Sequence, residues 1–165
     1  MTILFAQPYS LDATGFYFDS IEQYETNASS NRDRYGCKVE EYEIQFIDGE
    51  RIDAQLARAY GLYQCNIAAF LDAADTWDDD TKIRYIIAVG EGGYSHTDDP
   101  DTLDIDLYEI DTLRELAEQF VEDGLFGEIP DNLRGYLDYD AIAYDLGVDY
   151  SETEIDNRKF IYRLG

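Results

Sequence analysis

The chain has 165 residues and sets 12 Lys+Arg against 37 Asp+Glu, a formal net charge of -25, with a sequence pI near 4.1. A polypeptide that repels itself this strongly folds only by burying much apolar surface, and 45% hydrophobic residues, 15% aromatics and 15 tyrosines supply that surface. The charge excludes nucleic acid and anionic membranes as ligands, since phosphate is repelled, and no apolar run of 18 residues is present to cross a bilayer.

Residues 1–6 have neither a basic region nor a full apolar core, so no signal peptide is read. Cys37 and Cys65 are too few for a disulfide scaffold; free thiols of a reducing cytoplasm are the default expectation, with a single bridge as the alternative. In chain order, residues 3–6 and then Gly15-Phe16-Tyr17-Phe18 read as short strands. Asp19 or Ser20 is the expected N-cap of a helix running to about Ser29, with Glu22 in its first turn. Residues 38–47 alternate, with Glu40, Tyr42, Ile44 and Phe46 on the more apolar face and Val39, Glu41, Glu43, Gln45 and Ile47 on the other.

A helical stretch follows. Ile52, Leu56, Ala59 and Tyr60 share one side of a helix stopped at Gly61. Asn66 is the expected cap of a helix over 67–74, and Asp78-Asp79-Asp80 opens another that carries Ile83, Ile86 and Ile87 to a stop near Gly90. Gly92-Gly93 begins the clearest boundary. Beyond it come a strand over 104–110 and a helix capped by Asp111 with Leu113, Leu116, Ala117, Phe120 and Val121 inward, ending at Gly124. Pro130 is expected in the first turn of a short helix through Tyr136, a further helix spans 139–146, and the tail reads as a hairpin around Asp156-Asn157.

Little in this pattern supports catalysis. His96, the lone histidine, is read as a solvated loop residue. No serine sits in a nucleophile elbow, and Gly90-Glu91-Gly92-Gly93 lacks the lysine and helix start of a phosphate loop. The frame from Asp98 to Glu109 begins and ends like a calcium-binding loop, yet Pro100 brings no ligand oxygen and Leu103 stands where a glycine turn is needed. No enzyme activity, cofactor or metal is expected. Residues 98–165 hold 20 acids and 5 bases while 1–97 hold 17 and 7, so the charge is no terminal tail but a face interleaved with structured segments. The partner that suits such a face is a basic protein, above all one with a nucleic-acid-binding groove. A halophilic or calcium-binding acidic structural protein is the alternative in another class, given only Lys38, Lys82 and Lys159.

The segment from Phe120 to Leu146 resembles the signature of the ArdA-type antirestriction proteins, through Gly124, Gly127, Glu128, Ile129, Pro130, Leu133, Tyr136, Asp138, Tyr139, Ala141, Asp145 and Leu146. Each residue also has a plain local reading, such as Gly124 as C-cap, Pro130 in a first helical turn, and Tyr136 and Tyr139 as core. Residues 40–44 are similar to the acidic-aromatic strand of the family's first domain. The resemblance implies a small protein of a mobile genetic element: an elongated three-part homodimer whose carboxylates imitate DNA phosphates and occupy the groove of type I restriction-modification enzymes. A DNA mimic aimed at a CRISPR complex or a transcription regulator stays open beside it.

The fold expected is α+β in three small packed units, 1–50, 51–92 and 93–165, with short antiparallel sheets at both ends and a helical middle. The acids expected to face the partner are Glu40, Glu41, Glu43, Asp72, Asp75, Asp78, Asp79, Asp80, Asp111, Glu115, Glu118 and Glu122. Glu40 shares its strand face with Tyr42 and Ile44. The last four recur at helical spacing away from Leu116 and Phe120. In scale, 25 net charges correspond to roughly 42 Å of duplex, at about one charge per 1.7 Å.

Overall fold

Apolar residues at alternate positions put Leu4 and Ala6 inside β1 (Ile3–Pro8), and Tyr42 and Ile44 inside β3 (Tyr42–Asp48). In this computed structural model, residues 1–95 and 99–165 are described; the readings of His96 and of Asp98 as the start of a calcium loop lie outside the described residues. The fold is α+β. A three-stranded antiparallel sheet stands at each end of the sequence, with helices between. No described helix is long and apolar enough to cross a membrane.

The chain divides into two compact units, Met1–Leu103 and Asp104–Gly165. In the first, β1 is central, flanked by β2 (Phe16–Phe18) and β3 in the order β2-β1-β3. Gly15 lets the chain close on β1: a Cβ there would lie 2.4 Å from the Phe5 ring and 2.6 Å from the Ala6 carbonyl oxygen. Helices α1 (Ile21–Ser30), α2 (Arg51–Tyr60), α3 (Ile67–Thr76) and α4 (Asp79–Gly90) complete the unit.

Residues 1–50 and 51–92 are not separate units. Leu4, Phe18, Tyr42 and Ile44 join Leu56, Tyr60, Phe70 and Tyr85 in one core. Some forty residues of helix bury too little apolar surface alone, so they pack on the sheet. Rings carry much of this core: Phe18 and Tyr24 centroids are 5.1 Å apart and Phe16 and Tyr42 5.4 Å. The unit ends at Leu103 rather than at Gly92-Gly93, because the turn at Pro100–Thr102 packs on α4 and Leu103 on the first core.

In the second unit, β4 (Ile105–Tyr108), β5 (Ser151–Ile155) and β6 (Arg158–Leu164) form a sheet in the order β4-β6-β5. Helix α5 (Leu113–Glu122) lays Leu116 and Phe120 onto a core with Tyr150 and Ile161. Helices α6 (Asp131–Arg134) and α7 (Tyr139–Leu146) follow it. The β5–β6 turn holds Asp156 and Asn157 at φ 51° and 61°, the left-handed pair that a two-residue hairpin requires.

Several local expectations are corrected. Thr112, not Asp111, caps α5, because its hydroxyl accepts from the Glu115 N–H. The third strand starts at Tyr42, and Val39 before it is buried. Strand β4 is shorter than 104–110. Pro130 is the N-cap of α6 rather than a first-turn residue, and α6 ends at Arg134. Tyr136 is no core residue: it is 87% exposed. Asn66 holds the cap position of α3, but its amide donates instead to the Tyr60 and Gly61 carbonyls.

Candidate protein-binding acidic surface

Helix starts hold several of the acids. A carboxylate in a first turn faces the positive end of the helix dipole and the free N–H groups. Asp78 is the clearest case: it caps α4, accepting from the Thr81 N–H at 2.8 Å, and this bond holds its carboxyl below the usual carboxylate range. Glu115 works similarly at α5, where its carboxylate accepts from the Asp111 N–H at 3.0 Å.

The first unit gathers acids into one cleft of about 880 Å³, lined by first-turn residues of α1, α2 and α4 and by the last turns of α3. Asp72, Asp75 and Asp79 lie on it as expected acids; Asp19, Glu22 and Glu50 join them. The single tryptophan, Trp77, forms part of the wall. Lys82 also lines the cleft, but its ammonium is buried, 2.7 Å from Asp53 Oδ1 and 2.8 Å from the Ala74 carbonyl. The cleft surface is therefore dominated by anions.

Of the other expected residues, Asp78 and Asp80 are exposed but do not line that cleft. Asp80 pairs with Arg84 at 2.7 Å. Glu40, Glu41 and Glu43 are all exposed, and Glu40 lies just ahead of the strand. Glu40 and Glu41 line a smaller depression beside Tyr9, Asp33 and Lys38.

In the second unit Asp111, Glu115 and Glu122 are exposed and Glu118 is half-buried. Arg114 interrupts this row: it meets Glu118 at 3.1 Å and Asp140 at 2.7 Å, and both pairings raise its pKa. Glu109 is engaged by Arg158 at 2.7 Å, which lowers its pKa. Among the described residues, no three His, Cys, Asp or Glu side chains are placed to hold a metal ion. Cys37 and Cys65 are free and exposed.

The segment from Phe120 to Leu146 divides between scaffold and surface. Gly124 and Gly127 take φ 74° and 90°. Asp138 caps α7 through the Ala141 N–H, Tyr139 lies under Arg114 at 5.9 Å, and Leu146 packs on the core with Leu116 and Phe120. Glu128 and Asp145 are exposed, Ile129 is half-buried, and Leu133 and Tyr136 face outward.

Sequence reasoning missed Asp53 and Lys82. The signal was present, because Asp53 falls within the inward stripe Ile52, Leu56, Ala57, Tyr60, and Lys82 sits beside Ile83 on the inward face of α4. No protein-family model matches the chain, and no curated protein does.

Proposed function

We infer that this protein is an acidic DNA-mimic inhibitor that occupies the DNA-binding groove of a type I restriction-modification enzyme. The observation that carries the reading is the cleft on which Asp19, Glu22, Glu50, Asp72, Asp75 and Asp79 converge, while the one basic side chain lining it is turned onto Asp53. Fixed carboxylates of this density meet a basic groove much as phosphates do. Affinity then arises from counterion release and from many pairs that are individually weak. The protein acts in the cytoplasm as a product of a mobile genetic element, binds no nucleic acid or membrane, catalyses nothing and needs no cofactor.

A homodimer is part of the reading. Leu125, Phe126, Leu133, Tyr136, Tyr144 and Val148 are all exposed within one short stretch of the second unit, and large apolar side chains outside in such number suit self-association. Sedimentation of the wild type against Leu133→Ser/Tyr136→Ser tests this part: the wild type is expected as a dimer and the variant as a monomer.

The main test is competition. The protein is titrated against DNA bound to a type I methyltransferase core at several salt concentrations. DNA is expected to be displaced, with an apparent affinity that falls steeply as salt rises. Failure to displace DNA at low salt overturns the reading.

A further inference from the structure

Among the described residues, strand β3 has a strand neighbour on one side only. Its register with β1 pairs Phe5 with Gln45, Gln7 with Glu43 and Pro8 with Tyr42. The Tyr9 N–H donates to the Glu41 carbonyl, so odd-numbered residues of this stretch turn their peptide groups toward β1 and even-numbered ones turn them away. The side chain of Gln64 reads out that outer edge directly. Its amide oxygen accepts from the Tyr42 N–H at 3.0 Å and its amide nitrogen donates to the Glu40 carbonyl at 3.0 Å. One carboxamide thus stands in for a single peptide unit of a neighbouring strand. The Ile44 and Phe46 peptide groups point the same way, and no strand of the described residues lies there.

A groove of about 510 Å³ runs beside this edge, lined by Ile44, Phe46, Ala54, Ala57, Arg58 and Leu62. The side chains that line it are apolar apart from Arg58. Acids outnumber bases around it: Glu41, Glu43, Asp48 and Glu50 are all exposed at or next to the strand, against Arg58 in the groove wall.

We propose that the outer edge of β3 binds an extended basic polypeptide segment that adds to the sheet as a further strand. Main-chain hydrogen bonds to Ile44 and Phe46 supply the backbone pairing, as in other strand-addition interfaces. Alternation assigns the guest's side chains. Apolar ones enter the groove next to Ile44 and Phe46, and Lys or Arg side chains lie on the opposite face next to Glu43. A second copy of this chain fits less well, because it brings another -25 to an edge already ringed by acids. The proposal goes beyond DNA mimicry: it concerns a peptide-recognition edge and needs no restriction enzyme.

The test measures backbone amide exchange of the full chain with a seven-residue peptide alternating lysine and valine, and with its counterpart alternating glutamate and valine. Exchange at Ile44 and Phe46 is expected to slow at least tenfold with the first peptide and to stay unchanged with the second. Ala54→Trp, which fills the groove from a half-buried position, and Glu43→Lys, which reverses the outer charge, are each expected to abolish the slowing. Glu43→Lys leaves the groove intact, so it decides the question if Ala54→Trp does not fold. Unchanged exchange, equal slowing by both peptides, or slowing that persists in Glu43→Lys overturns the proposal. So does protection that appears without peptide as protein concentration rises, which assigns the edge to a second copy. DNA competition by the same samples reads the inhibitor function separately, so either reading can fail alone.

Discussion

The Lys82 ammonium lies 2.7 Å from Asp53 Oδ1, and their side chains retain only 5% and 6% of their exposure. The pair ties the first turn of α2 to the first turn of α4, and the Ala74 carbonyl brings in α3. In a chain of net charge -25 this base is kept inside rather than used to neutralise the surface. Removing one partner leaves an uncompensated buried charge. Lys82→Met is therefore expected to cost about 3–5 kcal/mol, and Lys82→Met/Asp53→Leu to recover most of it. Urea unfolding of the two variants and of Asp53→Leu closes the cycle; additive losses would show that the pair is not coupled.

Asp78 carries a pH dependence whose sign follows from its cap. Its folded carboxyl is held below the ordinary value by the Thr81 N–H, so its stabilisation is present above the unfolded pKa and is lost as pH falls through the folded one. Asp78→Ala is expected to lower the melting temperature at pH 7, and the gap from wild type to narrow steadily as pH drops below 4. Thermal melts across that range read it directly. A gap that widens toward acid pH contradicts the assignment.

Gly15 tests the close approach of β2 to β1. A methyl group there meets the Ala6 carbonyl oxygen at 2.6 Å, and backbone cannot swing aside as the Phe5 ring can. Gly15→Ala is expected to destabilise the first unit by about 1–3 kcal/mol, through overpacking. The Phe18 and Leu4 resonances should move with it, since these residues pair across the two strands.

The inhibitor reading is distributed over many acids, so single neutralisations are expected to do little. Asp72→Asn or Asp75→Asn alone should weaken displacement of DNA less than about fivefold, in line with exposed ion pairs worth about 0.2–1 kcal/mol. Neutralising Asp19, Glu22, Asp72, Asp75 and Asp79 together should abolish it and flatten its salt dependence. A single change that abolishes inhibition while the circular dichroism spectrum stays native would replace the distributed array with a specific contact.

The hairpin turn gives the fourth stability test. Asn157 sits at φ 61°, a region in which a β-branched residue is strained. Asn157→Val is expected to cost about 1–2 kcal/mol and Asn157→Gly to cost nothing measurable by chemical denaturation.

Much of this architecture was legible where the rule is local. Asn and Asp tolerate left-handed backbone, so the turn at Asp156-Asn157 could be placed, and the helix expected over 139–146 is α7. The run Asp78-Asp79-Asp80 ahead of Ile83 placed the start of α4, and the structure picked Asp78 from it as the cap. Where two residues compete for one role, the pattern was ambiguous: Asp111 and Thr112 are both good caps, and the Glu115 N–H chose the hydroxyl while its carboxylate took the Asp111 N–H. The acids of the candidate surface were legible as exposed, but not which of them share a cleft. Nothing in the spacing of Asp19, Glu50 and Asp75 announces that they converge.

Composition, periodicity and capping chemistry act over a few residues, and they were enough to settle that this chain folds as α+β, where most of its elements lie, and that its exterior is anionic. Long-range packing settled the remainder: that the first sheet and the following helices share one core, that Lys82 is drawn inward onto Asp53, and that an edge of β3 is left without a strand. Those outcomes depend on which surfaces meet across dozens of residues, where the free energy of burial outweighs any local preference and leaves no mark on neighbouring letters.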